Sequence, residues 1–494
     1  MGWWATIRET FDPRALAYLA SVYLGLKGGG GGLLRMAMLP LFKSWGNVGS
    51  EAFQAYSIVI MAPWALKPLA GLADKYPLKK EWGGRGGYVV IAAVVGTAAT
   101  AMLARNAKRV AEIPNTIAAL ATAANAQIAT TDLLAEGTYA ALMRDAPGSG
   151  SALVSFVWGL AFVAQVLVAA VAGPVADDGN AHLLVTAAVP LMAQAAIPPL
   201  AGWTKTEPGT EPGTEPGTEP AVQPWMLKMV ATVVGATIAT TIAAVQPRPA
   251  IKLATAAAVA GGVAAAAWTT MPKRLRGVAV YTFAAVAAQL QFGGPLDYFY
   301  TADEQCVAGG PAFTMTFYLT TASLAAAVCG AAGVAAFEAT ISGWSFRAVF
   351  RATTLMMCAV ATVDIAIVAR ANIAAGISDK LAYLGGNACL GAVVMMMHTI
   401  PTAVLTSKMC PKGAEAMVYA IVAGMQNLGA AVGGIAGAGI AELAGISLGA
   451  AKCEYARLPA VLAAGTIALP ALVALPLTRC LIPAKIGMKD QLQA

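Results

Sequence analysis

Charged residues inside long apolar stretches are the feature of this sequence that could do chemistry. Lys27, Arg35 and Lys67 interrupt two apolar stretches near the N-terminus. Asp132 and Glu136, four residues apart, share one face of another stretch if it is helical. A buried charge is costly, so each of these side chains is expected to face a cavity or an oppositely charged partner. Cations in a cavity would bind an anion, whereas a purely structural ion pair is the alternative for Lys27, Lys67 and Asp132. For Arg35 and Glu136 the alternative is a position near a helix end, from which the side chain snorkels to the membrane interface.

Metal and nucleophilic chemistry has little support in the sequence. His182 and His398 are the only histidines, and the seven cysteines form no C-x-x-C pair. The sequence contains no H-E-x-x-H motif and no nucleophile elbow. We therefore predict no metal site, no cofactor and no enzyme activity.

The elements that position these charges are membrane helices. Of the 494 residues, 58% are hydrophobic and only 12% are charged, which is too few charges for a soluble surface. The apolar blocks are about 20 residues long, and a chain in lipid must pair its backbone groups internally. The sequence thus predicts an all-α polytopic membrane protein with about fourteen helices, near residues 15–42, 52–73, 87–104, 113–143, 151–173, 181–201, 225–245, 251–270, 277–298, 313–337, 347–369, 381–405, 413–445 and 457–478.

A TEPG repeat divides the chain. It runs from Thr206 to Pro220, and its recurring proline and glycine with no large apolar residue predict a disordered linker over 203–224. We predict a six-helix bundle at 1–202, an extra helix pair at 225–271 and a second six-helix bundle at 272–494. Two six-helix halves are typical of a duplicated transporter.

Basic residues between the helices indicate orientation. An even number of crossings separates the clusters at 75–85, 273–276 and 479–489, so all three lie on one side, together with both termini. Lys and Arg are in excess in cytoplasmic loops, which makes this side the cytoplasm. This distribution also explains the net charge of +7 without nucleic acid. We expect a multi-pass protein of the plasma membrane.

Two glycine-containing segments indicate moving or closely packed helices. The segment GLADKYPLKK at 71–80 resembles the G-x-L-A-D-R-x-G-R-K signature of the major facilitator superfamily. There Gly71 would let two helices touch, while Asp74 and Lys75 would form a gate that pairs in one conformation. The five glycines at 28–32 either weaken the first helix to expose its backbone to a ligand or allow close packing.

Several longer blocks resemble the folate–biopterin transporter family, a branch of the major facilitator superfamily. They are LKPL at 66–69, DLLAEGTYA at 132–140, GS at 150–151, FVWG at 156–159, GPLDYFYTADEQC at 294–306, LTSKMCPKGAEA at 405–416, Tyr419 and GMQN at 424–427. The resemblance covers most of the chain outside the linker and is greatest to kinetoplastid pteridine and folate carriers. The TEPG tract departs from it but falls in a loop.

The resemblance implies import of folate, biopterin or related pterins, commonly linked to protons. The two carboxylates of folate need cationic partners, for which Lys27, Lys67 and Arg35 are candidates. A proton carrier would be an intramembrane carboxylate, and Asp132 or Glu136 is the first choice.

The pterin ring would need different partners. Its amino-pyrimidinone edge would pair with a carboxylate or amide, for which Asp132, Asp297 and Asn387 are candidates. Tyr298 and Tyr300, with Phe299 between them, would stack on the flat ring, although an aromatic belt at the membrane interface is the alternative for these rings.

Two rival functions remain at this stage. Relatives within a fold can move other metabolites, such as S-adenosylmethionine. A cationic substrate would need acidic cavity residues, so the Lys27 and Lys67 pair favours an anion. A membrane-embedded enzyme is the rival from another class, and no catalytic motif supports it.

The expected orientation also pairs two cysteines. Cys306 and Cys453 fall in outward-facing loops, where an oxidising environment allows a disulfide. We predict a Cys306–Cys453 bridge, with two free thiols as the alternative. The bridge requires Cα atoms within about 7 Å.

Overall fold

The computed structural model describes residues 3–76, 78–79, 82–146, 150–204, 222–409, 415–449 and 452–483. Most of the predicted TEPG linker therefore lies outside the described residues, as do the side chains of Asp74 and Lys75. Sixteen helical segments account for most of the described chain. They are α1 (Trp3–Thr10), α2 (13–45), α3 (50–75), α4 (Arg85–Asn106), α5 (Pro114–Asp145), α6 (Gly150–Asp177), α7 (Ala181–Leu200), α8 (Pro224–Ala244), α9 (Pro249–Thr270), α10 (Lys273–Ala287), α11 (Gly293–Tyr300), α12 (Thr316–Thr340), α13 (Phe346–Val368), α14 (379–409), α15 (Glu415–Leu443) and α16 (Leu458–Leu481).

Eleven helices in the described part of the chain are long and apolar enough to cross a membrane. They are α3, α4, α6 to α9 and α12 to α16. The chain is an all-α polytopic membrane protein. Three of the predicted segments, near 15–42, 113–143 and 277–298, are helical but are not among the eleven. The first contains the five glycines, the second contains Asp132 and Glu136, and the third is interrupted at 288–292. The count of fourteen spans stays a prediction.

Glycine packing shapes the first long helix. Residues Ser21–Gly30 of α2 form wide π-helical turns, and the helix continues through the five glycines without a break. A Cβ at Gly28 would lie 2.4 Å from the Cβ of Ala164, and one at Gly31 would lie 3.0 Å from Ile128. Of the two interpretations, the structure supports close approach to α5 and α6 rather than an opened backbone.

The helix predicted at 277–298 is broken. Lys273–Ala287 and Gly293–Tyr300 are separate helices, α10 and α11, joined by the non-helical residues 288–292. The junction is stabilised from outside: the Gln291 carbonyl accepts a hydrogen bond from Gln54 of α3 at 2.8 Å. The prediction of one continuous helix was therefore wrong. Gln54 of α3 donates to a carbonyl that would otherwise accept a hydrogen bond within the helix.

The predicted extra helix pair, α8 and α9, packs against α15, and α8 also contacts α3. Buried side chains of α8 and α9, including Met229 and Val263, share a core with Leu428 and Ile435 of α15. Lys252 of α9 also forms a largely buried ion pair with Glu442 of α15. The pair is thus fixed to the long helix that borders both halves, because α15 also packs against α3.

At one end of the molecule a set of polar contacts joins the two halves, and the same end holds a two-stranded hairpin, Ser447–Gly449 with Lys452–Glu454. Asp177, at the end of α6, accepts hydrogen bonds of 2.7 Å from the backbone amides of Met315 and Thr316 at the start of α12. Lys43, at the end of α2, donates to the Thr301 hydroxyl at 2.6 Å. We call this end the closed end. The structure joins Cys306 and Cys453 there by a disulfide, with 5.3 Å between their Cα atoms.

Candidate functional site

Four charges from three helices form one network in the first half. Lys27 of α2 and Lys67 of α3 contact opposite oxygens of the Asp132 carboxylate on α5, at 2.8 and 3.0 Å. Lys67 also lies 3.3 Å from Glu136, one helical turn after Asp132. Asp132 and Lys67 are buried, whereas Lys27 keeps 27% and Glu136 19% of its side chain exposed. The network balances two positive and two negative charges.

Aromatic rings surround the accessible end of this network. The Lys27 ammonium lies 5.3 Å from the ring centre of Tyr23, 5.6 Å from that of Trp64 and 5.9 Å from that of Trp158. Rings at this distance attract a cation. The buried hydroxyl of Tyr23 has no hydrogen-bond partner among the described residues. We call Lys27, Tyr23, Trp64 and Trp158 the aromatic cage.

Trp64 is held from two directions. Its indole N–H donates to Asn125 of α5 at 3.3 Å, and its backbone carbonyl accepts from Asn427 of α15 at 3.0 Å. Asn427 belongs to the second half of the chain, so a movement of the halves against each other would act directly on the aromatic cage. Half of the Trp158 side chain is exposed, so one wall of the cage is accessible.

Arg35 lies beyond the cage on the same helix. It follows Lys27 by eight residues, which is about 12 Å along a helix. Its side chain is accessible although its neighbours Leu34 and Met36 are buried and protein atoms surround it. Arg35 forms no ion pair or hydrogen bond with any residue that the structure describes.

The other proposed substrate-binding residues lie elsewhere, in the second half near the closed end. The Tyr318 hydroxyl donates to Asp297 at 2.5 Å, and the Tyr298 hydroxyl donates to the Val48 carbonyl at 2.5 Å. Tyr300 and Asn387 both hydrogen-bond to Asp364 of α13.

In this conformation the polar groups of these residues already hydrogen-bond within the protein. Tyr298, Phe299 and Tyr300 are each 2% exposed or less and pack among other rings. They therefore do not form a belt at a membrane interface, because neighbouring helices enclose them.

Gly71 occupies a close helix contact, as its motif predicts. A Cβ there would lie 2.9 Å from the Met417 sulfur and 3.2 Å from the Ala420 Cβ of α15. The contact joins α3 of the first half to the second half. The gating roles of Asp74 and Lys75 stay predictions, since their side chains lie outside the described part.

Comparison with known proteins decides the family. The sequence matches the model described as the BT1 family over residues 27–493. The chain belongs to the BT1 family. The protein named "Probable folate-biopterin transporter 4" of Arabidopsis thaliana is 41% identical to it over 86 residues, which is 17% of each protein. The predicted membership of the folate–biopterin transporter family is confirmed, and the greater likeness to kinetoplastid carriers stays a prediction.

Solved structures show the fold of this BT1 family member. A POT family transporter in complex with 5-aminolevulinic acid matches with a TM-score of 0.64 and 13% identity over 97% of both chains. The nucleoside transporter NupG matches with a TM-score of 0.53 and 11% identity, covering 95% of this chain and 98% of that one. At such identities the likeness shows the fold alone, which is that of major facilitator transporters. The family and these neighbours are transporters, not enzymes.

Sequence reasoning missed part of the BT1 member's site. It named Lys27, Lys67, Asp132 and Glu136 but not the rings of Tyr23, Trp64 and Trp158. One signal was available, because Trp64 precedes Lys67 by three residues and such residues are neighbours on a helix. Nothing in the sequence linked Asn427 to Trp64, which are 363 residues apart.

Proposed function

We propose that this protein imports folate, biopterin or related pterins as a secondary active transporter working by alternating access. The observation that carries the proposal is Arg35, an accessible cation without a described partner in the interior of a membrane protein. An unpaired intramembrane cation is costly unless a ligand neutralises it. Folate supplies that ligand through its carboxylates.

The aromatic cage supports a flat substrate. The half-exposed Trp158 and the partly buried Trp64 offer ring faces beside Lys27. A flat aromatic group, such as the p-aminobenzoyl ring of folate, gains from stacking on such faces. Asp132 is fully occupied by two lysines, so Arg35 rather than Lys67 is the first contact for the anion, and Lys27 contributes from the cage.

A cationic substrate such as S-adenosylmethionine fits these residues less well. It would need an unpaired carboxylate, whereas Asp132 and Glu136 each contact a lysine. Placing another cation beside Lys27 and Arg35 would add like-charge repulsion.

We propose that Glu136 or Asp132 couples transport to protons. Glu136 is the more accessible of the two and shares Lys67 with Asp132. Protonation of Glu136 would remove one negative charge from a balanced network and leave Lys67 bound to Asp132 alone. The excess positive charge would then favour binding of an anion in the neighbouring cavity.

Alternating access is supported by where the halves are joined. At the closed end, Asp177 caps the start of α12 and Lys43 contacts Thr301, each across the two halves. Separation of the halves at this end would also expose apolar contacts such as Phe53 against Tyr298, which belong to a core shared by both halves.

Uptake into proteoliposomes tests the proposal. Labelled folate, biopterin and S-adenosylmethionine are compared in vesicles with and without an imposed inward proton gradient. We expect saturable uptake of folate or biopterin that the gradient stimulates. Uptake of S-adenosylmethionine with no uptake of folate or biopterin would overturn the proposal.

A further inference from the structure

A separate cavity lies inside the second half of the chain. It has a volume of about 220 Å³ and lies between α10, α13, α14, α15 and α16. None of the described residues that line it is Asp, Glu, Lys or Arg. Many are neutral hydrogen-bonding side chains, among them Gln289, Gln291, Gln426 and His398. The cavity thus differs from the charged site of the first half.

Several polar groups in this cavity have no partner. The side-chain amides of Gln289 and Gln426 make no hydrogen bond to any described residue. Tyr281 is only 1% exposed, and its hydroxyl lies near Thr354 without a hydrogen bond of normal geometry to any described residue. His398 uses Nδ1 to contact the Thr353 hydroxyl at 3.0 Å, which leaves Nε2 available. Gln289, Gln426 and His398 are half-buried and Tyr281 is buried, and polar groups withdrawn from bulk water need hydrogen-bond partners, so this arrangement indicates a polar occupant.

The cavity adjoins the surface between the two halves. Gln289 and Gln291 belong to the junction between α10 and α11, and the Gln291 carbonyl is held by Gln54 of the first half. Gln426 precedes Asn427, the residue that contacts Trp64 of the aromatic cage. An occupant would therefore contact elements that connect to both halves.

Size and charge define the occupant. At about 30 Å³ per water molecule, the volume holds about seven waters, which suits one bicyclic ring but not a whole folate. Without a charged lining residue, the cavity cannot neutralise a carboxylate. Amides, by contrast, both donate and accept, which matches the edge of an amino-pyrimidinone.

We propose that this cavity binds the neutral heterocyclic head of the substrate, the pterin ring, while Arg35 binds its carboxylates. The inference rests on the proposed function and extends it by dividing the substrate between the two halves. Gln426 and Gln289 are its specificity-determining residues. A substrate held by both halves would couple their movement to its own binding.

Substitution of the amides tests this division. Gln426→Met and Gln289→Met remove hydrogen bonding with little change in volume, and Gln246→Met in the loop that follows α8 is the matched control. We expect the KM for biopterin and for folate to rise about tenfold in each cavity variant and to stay unchanged in the control. The inhibition constant of p-aminobenzoylglutamate, which has the carboxylates without the pterin, should stay unchanged in all three. Stabilisation of each purified variant by biopterin, read as a thermal shift, reports binding independently of transport.

The outcomes separate this inference from the proposed function. Wild-type uptake with unchanged KM in both cavity variants overturns the inference alone. A changed pH profile at constant KM also overturns the inference alone, because it indicates that the cavity holds a water-filled proton path. Wild-type protein that neither takes up biopterin nor is stabilised by it overturns both. Weaker inhibition by p-aminobenzoylglutamate in the cavity variants also contradicts the division, because it places the carboxylates in this cavity.

Discussion

Lys67 and Asp132 face each other across α3 and α5, with 3.0 Å between Nζ and Oδ2 and both side chains buried. The second carboxylate oxygen of Asp132 contacts Lys27 at 2.8 Å. One acid therefore determines the position of two lysines on two other helices. This relationship makes Asp132 the centre of the N-terminal site.

Loss of the Asp132 charge should destabilise the protein and stop transport. In Asp132→Asn, Lys27 loses its only acidic partner among the described residues and Lys67 keeps Glu136 alone. Removing one member of a buried ion pair costs about 3–5 kcal/mol. We expect a lower Tm in detergent and no folate uptake. The matched control is Asp178→Asn, on an exposed residue, and an equal fall in Tm in both variants would contradict the prediction.

Glu136 should determine how uptake depends on pH. If protonation of Glu136 is required, wild-type uptake rises as the outside pH falls. Glu136→Gln imitates the protonated form permanently, so uptake should become independent of pH while counterflow exchange continues. Initial rates across a pH series measure this. The control is Glu112→Gln in the exposed Arg109–Glu112 pair, and a normal proton response in Glu136→Gln would exclude Glu136 as the proton carrier.

Arg35 should distinguish folate from biopterin. A hydrogen bond to a charged group contributes about 1.5–3 kcal/mol, which is about 10- to 100-fold in affinity. Arg35→Leu should raise the KM for folate by that factor and affect biopterin, which lacks the glutamate, much less. Arg35→Lys should recover part of the affinity. Arg105→Leu at the exposed end of α4 is the control, and equal effects on both substrates would indicate a structural role for Arg35.

The Cys306–Cys453 bridge should be resistant to labelling and should stabilise the closed end. It spans 147 residues of sequence, and such bridges typically contribute about 2–4 kcal/mol. We expect maleimide to modify both cysteines only after reduction and Cys306→Ser to lower the Tm. Cys480, a free and exposed cysteine, serves as the labelling control. Labelling of both residues without a reductant would show two free thiols.

Asp177 should control the balance between conformations. It caps the first turn of α12 from the other half, and a lost N-terminal cap costs about 0.5–2 kcal/mol. Asp177→Ala should therefore raise the equilibrium constant for opening the closed end by about 2- to 30-fold. Spin labels on α6 and α12 would record the longer distance. Asp178→Ala, at the next residue, should leave the distance distribution unchanged, and an unchanged distribution in Asp177→Ala would show that the cap does not hold the halves together.

Hydropathy alone was enough to predict that the chain is a membrane protein and where most of its helices lie. The stretch predicted near 87–104 is the helix Arg85–Asn106, and the one near 347–369 is Phe346–Val368. These predictions succeed because lipid requires every backbone group to bond within its own helix, which is a local requirement. The break at 288–292 was missed because distant residues satisfy its backbone groups: Gln54, 237 residues from Gln291, donates to the Gln291 carbonyl, and the carbonyls of Gly433 and Gly465 accept from backbone amides of the break.

The sequence by itself also determined which charges stand inside the apolar stretches, and with them the family resemblance. Only the tertiary structure decided how these charges are used: Lys27 and Lys67 share Asp132, while Arg35 contacts no described residue. Asp297 and Asn387 are likewise turned towards Tyr318 and Asp364. The physical reason is that a side chain's partner depends on the rotation of its helix and on its neighbours. Those follow from the packing of glycines and π-helical turns against other helices, which no local pattern encodes.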